Sequence, residues 1–179
     1  MKYYQLPTGK DVPEVLNAVI EVPKNSSNKY EYDPEYDIMR LDRVLYSAMH
    51  YPGDYGFIPS TLAEDDDPLD VVVLIGAPSF PGVVLDVRPL GFLEMTDDKG
   101  RDQKILAVPV HDPRFSHHTS LKDVGGHYLK EVANFFEVYK QLENKETKIE
   151  DWHDVDEAKA LILECVERFK QVKGNLENR

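Results

Sequence analysis

The apolar residues of this chain change period after residue 110, and that switch limits the possible folds more than any other feature. Before it, the apolar segments are short and rich in β-branched residues: Val15 to Val22, Val71 to Ile75 and Ile105 to Val110, separated by Pro, Gly and Asp turns. After residue 120, Leu129, Val132, Phe135, Phe136, Tyr139 and Leu142 recur at helical spacing. Val155, Ala158, Leu161, Ile162, Cys165, Phe169 and Val172 make a second helical stripe, and Asp154 followed by Glu157 reads as its capping box. Strands followed by segregated helices predict an α+β fold, a small barrel or strongly curved sheet carrying two main helices on its outside. No repeat, low-complexity block or linker breaks the 179 residues, so one domain over 1–179 is expected.

Charge narrows the partners. With 33 acidic and 21 basic residues the net charge is −12, which repels nucleic acid and anionic membrane surfaces. Cys165 is the one cysteine, which leaves no intrachain disulfide and no thiolate zinc site. The start of the chain lacks an apolar signal core, and the longest apolar run, Val71 to Ala77, falls far short of the roughly 20 residues that span a bilayer. A cytoplasmic location, with no nucleic-acid or membrane partner, is the expectation.

The acidity is concentrated in Glu64-Asp65-Asp66-Asp67-Pro68-Leu69-Asp70, directly before the apolar Val71 to Ile75. Pro68 favours an extended residue before it, and extension would project Asp65 and Asp67 to one side. Carboxylates this close repel unless cations neutralise them, and hard, oxygen-seeking ions such as Mg²⁺ suit them. The EF-hand loop is excluded, because Asp70 stands where that loop needs glycine. A second acidic group, Asp97-Asp98-Lys99-Gly100-Arg101-Asp102, reads as a hairpin turn after which Asp102 and Lys104 share a strand face. Lys29 and Glu31 share a face in the same way. Carboxylates together with Lys29, Arg43, Lys104 and Lys140 are the components of a metal-bridged phosphate site. Asp42 and Asp98 read as charge balance and turn formation. His111, His117 and His118 have no helical zinc-ligand spacing.

These residues form a recognisable pattern. Asp65-Asp66-Asp67-Pro68-Leu69-Asp70-Val71 resembles, at all seven positions, the signature of the family I soluble inorganic pyrophosphatases. The resemblance continues through Glu21-Val22-Pro23, Lys29-Tyr30-Glu31, Asp42-Arg43, Tyr51-Pro52-Gly53-Asp54-Tyr55-Gly56, Thr96-Asp97, Asp102-Gln103-Lys104 and Phe135-Phe136-Glu137-Val138-Tyr139-Lys140. It implies a five-stranded OB-like barrel with two main helices, hydrolysis of pyrophosphate to two phosphates by direct in-line attack, and several Mg²⁺ ions per site, with Mn²⁺ or Zn²⁺ as substitutes. For a short prokaryotic-type chain it also implies a homohexamer built as two trimers.

Carried over by the resemblance, Asp65, Asp70 and Asp102 hold the first metal, Asp70 bridges to a second, Asp97 joins Asp102 at a third, and Glu31 reaches a further one. Lys29, Arg43, Tyr55, Lys104, Tyr139 and Lys140 bind phosphate, Asp67 is the general base, Glu21 supports the site and Tyr51 lines the same cavity. Two rivals belong to other classes: a nonenzymatic OB-type module binding single strands on its aromatic residues, and a Mg²⁺-dependent phosphatase acting on another phosphate ester. A strand-binding groove needs a basic track, and the densest feature here is acidic.

Overall fold

A computed structural model describes residues 2–98 and 100–177. Its centre is a closed ring of five strands: β1 (Leu16–Val22), β4 (Asp54–Phe57), β5 (Asp70–Val73), β6 (Val84–Asp97) and β7 (Gly100–Pro109). The pairing runs β1-β4-β5-β7-β6 and closes through β1–β6, antiparallel everywhere except β5–β7. That is the order of an OB-like ring. Two further strands, β2 (Asn28–Asp33) and β3 (Ile38–Val44), form a separate two-stranded hairpin.

The strands form where β-branched and aromatic residues alternate, and alternation also divides the core. Val71, Val73, Ile105 and Ala107 join a cluster with Ala158, Leu161, Ile162 and Cys165 of helix α2 (Val155–Glu177). Their strand neighbours Val72, Leu106 and Val108 join Val132, Phe135 and Phe136 of helix α1 (Gly126–Val138). The two helices therefore cluster with alternate residues of the same strands. Gly56 permits the tight β1–β4 approach: a Cβ there would stand 1.9 Å from the Val19 carbonyl oxygen.

Three local expectations need correction. The α1 helix ends at Val138, and Leu142, expected on its stripe, sits 63% exposed in a 3-10 turn at Gln141–Glu143. Val172 is likewise exposed, because α2 outruns the sheet it packs on. Strand β8 (Lys148–His153), between the helices, pairs with the long β6. The Asp97 to Asp102 hairpin forms as expected, though Lys99 lies outside the described residues. Asp154 and Glu157 make the reciprocal capping bonds. Among the described residues no helix is long and apolar enough to cross a membrane.

The β8–α2 corner carries a pH-dependent contact. His153 stacks on Phe92 with centroids 4.4 Å apart, and its two ring nitrogens face Glu157 at 3.0 Å and Glu94 at 2.9 Å. The bond to Glu157, helped by Glu94 and opposed by burial, raises the His153 pKa. A raised histidine contributes stability fully below its unfolded value of about 6.5, and loses it as pH rises through the folded value. Urea unfolding of wild type and His153→Gln should differ by about 1 kcal/mol more at pH 6 than at pH 9. A pH-independent difference would contradict the ion pairs.

Candidate active site

The site lies in a cavity of about 440 Å³ between the ring, the hairpin and the turn that follows α1. Nine carboxylates line it: Glu21, Glu31, Asp42, Asp65, Asp67, Asp70, Asp97, Asp98 and Asp102. Five cationic side chains face them: Lys29, Arg43, Lys104, Lys140 and Lys145. The formal excess of four negative charges repels any anion from the metal-free cavity.

Adjacent elements place these groups. Asp70 opens β5 and stands in register with Lys104 of the parallel β7, so ladder pairing itself brings the acid and base together. Lys104 Nζ lies 2.6 Å from Asp70 Oδ2 and 3.0 Å from both Asp102 oxygens. The ammonium also sits 5.0 Å from the Phe136 ring centroid and 5.5 Å from that of Tyr55. Although 2% exposed, it stays charged, because Asp102 and Asp70 outweigh its desolvation. The Tyr55 hydroxyl donates to Asp70 at 2.7 Å, and burial with Asp70 keeps it protonated. Across the cavity Lys140 meets Asp97 at 2.9 Å, Lys145 meets Asp98 at 3.6 Å, and Lys29 bonds Glu31.

Two β-bulges aim further carboxylates inward. On β1, Ile20 pairs with Gly56 and Val22 with Tyr55, leaving Glu21 as the extra residue. Its Oε1 accepts the Tyr32 N–H at 2.7 Å, and burial pushes its pKa up to about 8. On β3, Arg43 pairs with Lys29 and Leu41 with Tyr30, leaving Asp42 between them, so Asp42 and Arg43 both line the cavity despite being sequence neighbours. Sequence reasoning set Asp42 and Asp98 aside and missed Lys145. Nothing in a single strand's text announces a bulge.

The Asp65 to Asp67 segment is a turn, not the extended run that Pro68 suggests. Asp66 takes a left-handed φ of 68°, the Asp67 N–H donates to the Asp65 carboxylate at 3.2 Å, and the Ala63 N–H donates to the Asp67 carbonyl at 2.8 Å. An aspartate closing its own backbone turn competes with extension. Asp65 and Asp67 still line the cavity. Tyr51, expected in the lining, is 1% exposed behind it, its ring 5.3 Å from Tyr55 and 4.7 Å from Phe135. The other residues singled out from sequence (Glu21, Lys29, Glu31, Arg43, Tyr55, Asp65, Asp67, Asp70, Asp97, Asp102, Lys104, Tyr139 and Lys140) all meet in this one cavity.

The donor set suits a hard cation, since every candidate ligand is a carboxylate oxygen. Burial, then the charges of Asp67, Asp70 and Asp102, raises Asp65. Burial also raises Asp102, with Asp70 and Asp97 adding to it against the pull of Lys104. Burial is the larger cause of both shifts, and the neighbouring carboxylates add a part that cations would relieve. Among the described residues no three of these acids already converge as a cage, and Lys104 fills the space between Asp70 and Asp102.

Comparison with known proteins agrees with this chemistry. The family model described as "Inorganic pyrophosphatase" matches residues 18–170. Curated relatives named inorganic pyrophosphatase include one from a Nostoc species, 54% identical over 88% of this chain and 94% of its own, and one from Methanosarcina mazei, 49% identical over 89% and 95%. The crystal structure of inorganic pyrophosphatase from Thermus thermophilus superimposes with a TM-score of 0.93 at 47% identity, covering 95% of this chain and 99% of that one.

Proposed function

The chain belongs to the inorganic pyrophosphatase family, and on that premise we propose that the acidic cavity is where it hydrolyses pyrophosphate to two phosphates. The observation that carries the reading is the excess of carboxylates around a core of buried, charged lysine: a trianionic or tetraanionic substrate enters only with added cations. The family's divalent metal is assigned here to Mg²⁺, with Mn²⁺ or Zn²⁺ as substitutes. Asp65, Asp70, Asp97, Asp102 and Glu31 would hold it. When bound, such cations neutralise phosphoryl charge and make water more acidic.

The chain's own groups do the rest. Asp67, in its turn at the cavity edge, takes the proton of the attacking water. The water oxygen bonds to one phosphorus as the bridging P–O bond breaks, and the departing phosphate carries away that electron pair. Lys29, Arg43, Lys104, Lys140, Tyr55 and Tyr139 hold phosphate oxygens and stabilise the charge that gathers on the leaving group. Glu21 supports the hairpin through Tyr32, and Tyr51 supports the Tyr55 ring from behind. No covalent intermediate is required. The same negative surplus argues against the single-strand binding module, which needs a basic groove.

The proposal places one domain over 1–179 in the cytoplasm, assembled as a homohexamer of two trimers. Exposed Ile38, Leu41 and Val44 on β3 support burial against other copies; a monomer by light scattering would overturn the assembly. Metal titration tests the residue roles. Asp102→Asn should weaken Mg²⁺ binding to the free chain by at least about tenfold, whereas Lys140→Ala should leave it within about threefold and raise KM instead. Equal effects of the two changes on metal affinity would refute the division.

A further inference from the structure

Arg43 stands on the hairpin, which forms its own two-stranded sheet apart from the ring, yet it must keep a fixed distance from the cations on other elements. Its guanidinium is held on two sides. Nη1 donates to Asp42, and Nε donates to Glu143 Oε1 at 2.9 Å. Glu143 is 100 residues distant in sequence and comes from the 3-10 turn Gln141–Glu143, which directly follows Lys140. Its side chain is 9% exposed, and it does not line the cavity. A carboxylate so withdrawn from water needs a cation, and among the described residues Arg43 is the one bonded to it. A guanidinium is planar, so fixing Nε and Nη1 fixes the direction of Nη2, which has no hydrogen bond among the described residues.

We infer that Glu143 is a positioning residue for pyrophosphate: it clasps Arg43 of the hairpin to the turn that bears Lys140, so that two phosphate-binding cations from separate elements keep one spacing. The inference rests on the assignment of Arg43 to phosphate binding. Without Glu143, Arg43 keeps its charge but gains rotamer freedom, which substrate must then remove on binding. The cost falls mainly on KM. A Gln at 143 retains an oxygen that accepts the Nε–H, so it retains most of the positioning.

Steady-state kinetics of the full chain with Mg²⁺ pyrophosphate test this with Glu143→Ala, Glu143→Gln, Arg43→Ala and the double Ala variant. Glu143→Ala should raise KM about tenfold with kcat changed less than about threefold, and Glu143→Gln should recover most of the loss. In the Arg43→Ala background, Glu143→Ala should add less than about twofold, because the group it positions is gone. Equal factors in both backgrounds would make Glu143 merely structural and overturn the inference. An unchanged KM in Glu143→Ala, with KM raised in Arg43→Ala, would overturn it while leaving Arg43 a phosphate ligand. An unchanged KM in Arg43→Ala would remove the assignment beneath it. Should Glu143→Ala not fold, Glu143→Asp, one methylene short of the Nε–H, supplies the same comparison.

Discussion

Asp67→Asn is expected to lower kcat by about 10³-fold while leaving the melting temperature within about 2 °C of wild type. The two expectations have separate grounds. The turn that carries Asp67 is closed by its backbone: its N–H donates to Asp65 and its carbonyl accepts from Ala63, and neither bond uses the side chain. Asn has the same shape as Asp and leaves both in place. It cannot take a proton from water near neutral pH, so the chemistry suffers far more than the fold. Thermal melting and phosphate release on the same preparation separate the effects. A loss below about tenfold in a folded variant would move the base elsewhere, with Asp65 and Asp42 as alternatives in the same cavity.

Lys104→Met should harm both stability and turnover, and it should do so in a way that cations partly repair. Met keeps the stem that packs beside Phe136 and Tyr55 and deletes only the ammonium. Asp70 and Asp102 then lose a buried partner that lay 2.6 and 3.0 Å away. Removing one member of a buried pair costs about 3–5 kcal/mol, which for a chain of this size lowers the melting temperature by roughly 10 °C. With no metal, the Asp102 carboxyl, already raised by burial, would lose the opposing pull of Lys104 and rise further above its unfolded value. A raised acid lowers stability as pH climbs from the unfolded value through the folded one, so the variant should close part of its deficit on moving from pH 7 toward pH 5. Millimolar Mg²⁺ should raise its melting temperature more than that of wild type. Equal Mg²⁺ shifts would show that Lys104 does not offset the charge a metal offsets.

The ring and the site differ in how much of each could be read before folding. β1, β5 and β7 announce themselves through apolar, β-branched runs, because each buries residues on both faces. β8 does not: Lys148, Glu150 and Asp151 leave its text largely polar, and its order comes from pairing along the edge of β6. The seven residues from Asp65 to Val71 were legible as chemistry but not as shape, since Asp66 at a φ of 68° and the Asp65 bond to the Asp67 amide depend on local side-chain bonding rather than period. Glu21 and Asp42 face the cavity because bulges on β1 and β3 displace them, and a bulge exists only relative to a partner strand. Glu143 meets Arg43 across a hundred residues, where no spacing rule reaches.

Phosphate release from pyrophosphate at neutral pH, measured with Mg²⁺, with EDTA and with ATP in place of pyrophosphate, bears most directly on the acidic cavity as a metal-dependent pyrophosphate site. Fast release with Mg²⁺, abolished by EDTA and restored by excess Mg²⁺, with ATP hardly hydrolysed, is the predicted result. Release that persists in EDTA, or ATP hydrolysed as fast as pyrophosphate, would contradict it.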